Sequence, residues 1–228
     1  MATKNPTQAQ QNMVNTALDD QLKQTEIGEW IAEHKSLALG LIAVIVLAVI
    51  GWGVYQIQKE SSNNEKSGVV YKFSESALKE FVEKKSDAAA LLAAHTKLHK
   101  DLSGFQGLFT TDLLVADQLM ARGNNKEAKV VLEKTISLAK DAVQAYLVRT
   151  RLAVVYEDLG EYKNAISVLE EVNSSQVKLM EAKNYLDLGR FYLAIGQKDK
   201  AKVNFEYVLN NLAQDEFAKL AKLYLSEM

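Results

Sequence analysis

The sequence predicts an all-α protein: one N-terminal transmembrane helix, followed by a solenoid of helical hairpins and a C-terminal capping helix. Helix breakers are scarce, since the 228 residues include one proline and 11 glycines. A stretch without charged residues lies between Lys35 and Lys59. Downstream, a pattern of small and bulky residues recurs three times. These three observations make a β-rich fold improbable.

The apolar stretch is long enough to cross a bilayer. Leu37 to Tyr55 reads LALGLIAVIVLAVIGWGVY. If helical, the charge-free residues 36–58 span about 34 Å, slightly more than the roughly 30 Å hydrocarbon core of a membrane. The run is also longer than the apolar region of a signal peptide, and a polar stretch precedes it. We therefore predict a retained transmembrane helix at 36–58.

The flanking segments differ from this helix in composition. Residues 1–26 are polar and rich in Gln and Asn, which predicts a disordered tail. Apolar residues at helical spacing in 27–35 predict an interfacial lead-in that contacts membrane lipid. Turn formers and charges in 59–68 predict a hinge. The remaining residues, 69–228, are numerous enough to form one domain with its own core.

The orientation of the membrane helix is ambiguous from charge alone. Basic residues near the membrane are fewer before the apolar stretch than after it, and the positive-inside rule then favours a cytoplasmic domain. The bias is small, and long domains translocate largely regardless of their charge. The lysines counted are Lys23 and Lys35 upstream, and Lys59, Lys66, Lys72 and Lys79 downstream.

Three segments of the domain follow one helix-turn-helix pattern. Their turns read RGNNKEA, LGEYKNA and IGQKDKA, each with a glycine where the first helix must stop. The shifts between successive copies are 37 and 36 residues, so each copy is one hairpin that stacks on its neighbours. The predicted repeats cover about 105–140, 142–173 and 178–211, with an atypical hairpin before them and a capping helix at 215–228.

Small residues recur at two positions of each copy, where they let the paired backbones approach closely. They are Ala116 with Ala128, Ala153 with Ala165, and Gly189 with Ala201. This pattern resembles the tetratricopeptide repeat, whose usual spacing is 34 residues. The sequence departs from that family at one position, where the family favours Trp or another bulky residue. That position holds Asp112, Arg149 and Tyr185 in the three copies.

The chain shows little sign of catalytic chemistry. With 27 Lys and Arg against 29 Asp and Glu, no excess of positive charge attracts nucleic acid. Cysteine is absent, which excludes thiolate metal sites and cysteine nucleophiles. His95 and His99 have metal-ligand spacing, but no glutamate adjoins His95, and Lys97 and Lys100 lie nearby. We expect no metal site, cofactor, small-molecule substrate or enzymatic activity.

The expected activity is protein binding. In a stack of hairpins the first helices line a concave groove, and apolar positions flanked by charge suit a peptide or protein segment. The groove positions predicted to be exposed are Leu113, Asp117, Leu147, Thr150, Val154, Glu157, Leu186 and Arg190.

The whole layout resembles the ancillary SecYEG translocon subunit of bacteria, the YfgM-like family. The most similar stretch runs from WIAEHKSLALG through GWGVYQIQKESSNN to SGVVYKFSESA, and the C-terminal DEFAKLAKLYLSEM is similar too. The resemblance implies a single-pass inner-membrane protein with a cytoplasmic N-terminus and a periplasmic domain. It also implies association with the translocon and with a membrane-anchored chaperone of the prolyl-isomerase type, and no catalysis. The alternative is a scaffold with a cytoplasmic domain that serves another inner-membrane complex.

Overall fold

The computed structural model describes Thr25, Trp30, residues 33–213 and residues 216–228. Within these residues the regular secondary structure is helical, and no strand is present. The predicted all-α class is therefore confirmed for this part of the chain. Most of the predicted tail at 1–26, and much of the lead-in at 27–35, lie outside the described residues.

The chain divides into two units, Met1–Asn63 and Asn64–Met228. The first unit contains most of helix α1 (Lys35–Phe73), which extends into the second unit. Large apolar side chains of this helix are exposed, among them Val44 and Ile57.

Among the described residues, we find no helix with the length and apolarity that a membrane crossing requires. Of the predicted span at 36–58, the side chains of Ala38, Leu39 and Ile42 lie outside the described residues. The membrane span stays a prediction.

The segment predicted as a hinge is helical in the structure. Residues 59–68 all belong to α1, and the division between the two units falls inside them, at Asn63 and Asn64. Ser, Asn and Gly weaken a helix by at most about 1 kcal/mol each, whereas Pro, which would break it, is absent here. The turn-forming composition was therefore too weak a signal to end the helix.

The second unit is built from short helices joined by tight turns. A single π-helical turn, Ser74–Leu78, and the short α2 (Lys79–Val82) follow α1, and α3 (Ala88–Asp101) completes an irregular first hairpin. Three regular hairpins and a final helix come next. They are α4 (Leu108–Met120) with α5 (Asn125–Thr135), α6 (Ala142–Asp158) with α7 (Tyr162–Ser174), α8 (Glu181–Ala194) with α9 (Lys198–Asn211), and then α10 (Phe217–Ser226).

The three hairpin turns share one geometry, centred on Gly123, Gly160 and Gly196. Each glycine has φ between 72° and 77°, in the left-handed region that favours glycine. In each turn the glycine N–H donates to the carbonyl three residues earlier, and the next N–H donates to the carbonyl five residues before it. This is the Schellman arrangement, which satisfies the last carbonyls of the first helix. The turn glycines therefore end the first helices where the sequence pattern indicated.

Consecutive helices pack against each other throughout the three hairpins. The small residues of the repeat pattern are all buried in the core, including Ala116, Ala128, Ala165 and Ala201, each 0% exposed. The capping helix α10 packs on both α8 and α9, and Tyr224 stacks on the buried Phe205 ring at 5.1 Å between centroids. The result is a stack of hairpins that share one apolar core, as the sequence predicted.

Candidate protein-binding surface and a buried polar cluster

The predicted groove residues lie on α4, α6 and α8, the first helices of the three hairpins. We call the exposed and half-buried positions on these helices the first-helix face. Val154 is exposed, at 37%. Six further predicted positions are half-buried: Leu113, Asp117, Leu147, Thr150, Glu157 and Arg190.

Leu186 does not belong to this face. The sequence predicted an exposed groove position, but the side chain is only 3% exposed and lies in the apolar core. Helix α8 packs against α10 as well as against α7 and α9, so more of its surface is covered than in the other first helices. The repeat pattern alone, which treats the three copies as equivalent, does not contain this difference.

The charges on the first-helix face pair with one another across neighbouring hairpins. Arg151 on α6 donates from Nε to Oδ1 of Asp117 on α4 at 2.7 Å, and from Nη2 to Oδ2 at 3.0 Å. One hairpin further on, Arg190 on α8 donates to Glu157 on α6 and, at 2.7 Å, to Asp187 on its own helix. The predicted charged positions thus hold the first helices to each other.

The environment of Arg190 is strongly anionic. Burial alone would lower the pKa of its guanidinium, but the carboxylates of Glu157 and Asp187 outweigh that effect and raise it. The side chain of Arg190 is 34% exposed and that of Glu157 26%, so this pair is shielded from water more than an ordinary surface ion pair.

A second row of contacts links α6 and α8 to the second helix of the hairpin before each of them. The Tyr156 hydroxyl donates to Oε1 of Glu133 at 2.9 Å, and the Tyr192 hydroxyl donates to Glu170. Burial and the adjacent carboxylate raise the pKa of both tyrosines to about 12. The same contact thus joins the first repeat to the second and the second to the third.

The side of the stack formed by the second helices carries a cavity of about 650 Å³. Its lining comes from α7, α8 and α9, and it includes Tyr185, Leu188, Tyr192 and the 64% exposed Val203, with polar side chains such as Asn173 and Asn204 around them. The repeat pattern does not predict this cavity, because the groove expected of stacked hairpins lies on the face of the first helices.

A buried polar cluster joins the irregular first hairpin to the first repeat. Nε2 of His95 and Nε2 of His99, both on α3, each lie 2.7 Å from Oδ1 of Asp112 on α4. The Thr135 hydroxyl lies 3.2 Å from Oδ2 of Asp112 and 2.7 Å from the Val131 carbonyl oxygen, and it can donate its one proton to either acceptor. Burial favours the neutral carboxyl, but the hydrogen bonds from the two imidazoles prevail and lower the pKa of Asp112.

The spacing of His95 and His99 pairs these two residues, but it does not indicate the third member of the group, Asp112. The sequence does contain one indication of Asp112: this acidic residue occupies the repeat position at which a bulky residue is usual. An acid at a core position needs a buried partner, and the upstream helix supplies two imidazoles. The side chains of His95, His99 and Asp112 are 2%, 6% and 0% exposed, and their candidate ligand atoms all lie within 4.8 Å of one another.

The chain is similar to proteins of known structure and to one protein family. Among solved structures, the chain is similar to MamA, at 23% identity over 59% of this chain and 72% of that one, with a TM-score of 0.43. It is also similar to MamA 41-end from Desulfovibrio magneticus RS-1, at 17% identity over 71% and 92% of the two chains, with a TM-score of 0.46. No curated protein matches the chain. The family described as "Tetratricopeptide repeat-like domain" matches residues 29–228, and the chain belongs to this family.

Proposed function

We propose that the chain is a non-catalytic scaffold that holds protein partners on its first-helix face. The observation that carries this proposal is the pairing of charges between hairpins, with Arg151 bound to Asp117 and Arg190 to Glu157. Because these charges satisfy each other, the side chains left for a partner between them are apolar or small, such as Val154, Leu147 and Thr150. Such a surface suits an extended or helical protein segment with apolar side chains.

The binding surface is tested with one charged substitution on each side of the stack. Full-length protein is purified in detergent and used to recover partners from detergent-solubilised membranes. Val154→Glu places a charge on the first-helix face and is expected to reduce recovery at least about tenfold, a change of about 1.4 kcal/mol. Val130→Glu is the matched control, because Val130 is 51% exposed on the second helix α5.

Two results would contradict the proposed surface. One is loss of partners from Val130→Glu equal to that from Val154→Glu. The other is loss from Val203→Glu alone, which would move the binding site to the cavity on the side of the second helices. Circular dichroism of each variant establishes that it is folded before recovery is compared.

We further propose that residues 36–58 anchor the scaffold in the bacterial inner membrane. The support is the charge-free sequence, in which eleven of the nineteen residues from Leu37 to Tyr55 are Leu, Ile or Val. Each favours insertion by roughly 0.3 to 0.6 kcal/mol, or about 3 to 7 kcal/mol in total. The anchored protein is expected to stay with membranes after alkaline carbonate extraction and to be released by detergent. Release by carbonate alone would contradict the anchor.

The partners we propose follow from the resemblance to the YfgM-like family. They are the SecYEG-type translocon and a membrane-anchored chaperone of the prolyl-isomerase type, with the scaffold in the periplasm and assisting export of secreted proteins. Recovery of neither partner from solubilised membranes would contradict this assignment.

A cytoplasmic scaffold for another inner-membrane complex is the second candidate, and the excess of lysines after the apolar stretch favours it. Protease treatment of intact spheroplasts distinguishes the two. A periplasmic domain is digested from outside, whereas a cytoplasmic domain is degraded only after the membrane is lysed.

A further inference from the structure

We propose that His95, His99 and Asp112 form a binding site for one divalent transition-metal ion, with Zn²⁺ the best match to their donor atoms. The site lies between α3 and α4, away from the first-helix face, and it is independent of the proposed scaffold function. Its role is structural, because the ion would join the irregular first hairpin to the repeats.

The donor set is one that Zn²⁺ accepts. Two imidazoles four residues apart on a helix, together with one carboxylate from a neighbouring helix, supply two nitrogen ligands and one oxygen ligand. The distances from the two Nε2 atoms to Oδ1 of Asp112 are both 2.7 Å. Ligand atoms around a tetrahedral ion with bonds of about 2.0 to 2.1 Å lie about 3.3 Å apart. Each Nε2 atom thus needs to move about 0.6 Å away from Oδ1 of Asp112 to admit the ion.

The carboxylate is oriented by a further residue, as metal-binding carboxylates generally are. The Thr135 hydroxyl on α5 lies within hydrogen-bond distance of Oδ2 of Asp112, at 3.2 Å, which leaves Oδ1 directed toward the two imidazoles. Without an ion, both histidines must donate a proton to this one oxygen. A metal ion would take the place of the two Nε2 protons, each imidazole then carrying its proton on Nδ1, and the ion would be shared by all three side chains.

The surroundings leave room for a fourth ligand. A cavity of about 370 Å³ borders His99 and is lined by Thr96, Ser103 and Ser137, together with Lys100 and Lys134. Of the three ligands, only His99 borders this cavity, so we expect a water molecule that serves as the fourth ligand to enter beside the His99 ring. The two ammonium groups work against entry of a cation but favour an anion, such as hydroxide, as the fourth ligand once the ion is bound.

Metal binding is tested on the full-length chain in detergent, stripped with a chelator and then titrated with Zn²⁺ alone. We expect one ion per chain and a rise in the thermal unfolding temperature, because a ligand that binds only the folded state stabilises it. Co²⁺ in place of Zn²⁺ is expected to give the visible absorption of a tetrahedral site. Less than one ion per folded chain would overturn the proposal.

Variants assign the ion to these side chains. Asp112→Asn and His99→Gln each retain a group able to hydrogen-bond but remove a metal ligand, so both are expected to lose stoichiometric binding. Thr135→Val keeps all three ligands and is expected to weaken binding about 10- to 100-fold. His34→Gln removes the third histidine of the chain and is the matched control, with unchanged binding.

A spectroscopic measurement keeps the proposal testable even if the cluster variants do not fold. X-ray absorption at the zinc edge of the loaded wild-type chain is expected to show two imidazole ligands. Any other number of imidazoles, or equal binding by folded Asp112→Asn and the wild type, would overturn the proposal. A purely hydrogen-bonded cluster would then be the correct description.

Discussion

Gly189 lies so close to Phe205 that a Cβ added to the glycine would be 2.3 Å from Cε1 of the ring. The repeat pattern alone explains the small residue by close approach of the backbones at Gly189 and Ala201. The structure adds a second reason, because a fully buried aromatic ring of α9 occupies the space that a side chain on α8 would need. The ring has little freedom to move, since Tyr224 stacks on it.

Gly189→Ala is therefore expected to destabilise the domain, although alanine is the better helix former. Helix propensity would contribute a gain of about 1 kcal/mol, whereas overpacking of a buried site costs about 1 to 3 kcal/mol. A net loss of roughly 1 kcal/mol in the free energy of unfolding is expected in chemical denaturation. Gly68→Ala is the control, because Gly68 is helical with open space around it, and this change is expected to be neutral or stabilising.

Gly160→Ala is expected to destabilise the second hairpin for a different reason. The residue has φ of +72° at the Schellman turn between α6 and α7, and a Cβ in the left-handed region costs about 1 to 2 kcal/mol. Gly160→Asn is expected to lose less, because asparagine tolerates this conformation better. Equal stability of the alanine and glycine proteins in thermal unfolding would contradict this account of the turn.

The features predicted well from the sequence are those with local signals. The glycines at 123, 160 and 196 mark turns because only a few residues allow positive φ, and their neighbours at fixed offsets mark the packed faces of the hairpins. These residues lie within a single hairpin and close to each other in the sequence. The turns and packed faces can therefore be predicted without knowledge of the tertiary structure.

The features that were missed depend on contacts between distant elements. The partners of Asp112 are 13 and 17 residues away, on a helix that lacks the repeat pattern, so no spacing rule connects them. Leu186 was placed in the groove because it is equivalent to Leu113 and Thr150, but only its helix also packs against α10. The helical state of 59–68 was missed because residue preferences there are weak.

The ion pair between Arg151 and Asp117 is expected to contribute about 0.5 to 1 kcal/mol to stability. Its side chains are 27% and 42% exposed, so water screens the charges in part, but the two parallel hydrogen bonds fix the geometry. A double-mutant cycle of Arg151→Ala and Asp117→Ala measures the coupling free energy. The control cycle uses Lys202 and Glu206, a more exposed pair 3.7 Å apart, where at most about 0.5 kcal/mol is expected. A larger coupling in the control would contradict the role assigned to the contact between hairpins.

Tyr156 is expected to make stability depend on pH in the alkaline range. Its pKa is raised from 10.0 to about 12 in the folded chain by burial and by Glu133. Because the folded state holds the phenolic proton more tightly than the unfolded state, this contribution is fully present below pH 10. It is lost as pH rises through the folded pKa. Urea denaturation between pH 9 and pH 12 measures the effect. This range starts about one pH unit below the ordinary pKa of tyrosine and ends near the raised pKa of Tyr156.

Tyr156→Phe isolates the tyrosine from other groups that titrate in the same window. Lysine side chains ordinarily lose their charge near pH 10.4. The hydrogen bond to Glu161 raises the pKa of Lys129, so this ion pair weakens at a higher pH, and it does so in both proteins. The informative quantity is therefore the difference in unfolding free energy between wild type and variant, which is expected to shrink above pH 10. The phenyl ring can still pack under Lys129, whose Nζ lies 5.5 Å from the ring centroid, so only the hydroxyl contact is removed.

Tyr71→Phe is the control, because the Tyr71 ring is 67% exposed, and the stability of this variant should change with pH as that of the wild type does. A wild-type-to-Tyr156→Phe difference that stays constant from pH 9 to pH 12 would show that the hydrogen bond to Glu133 does not hold the phenol protonated.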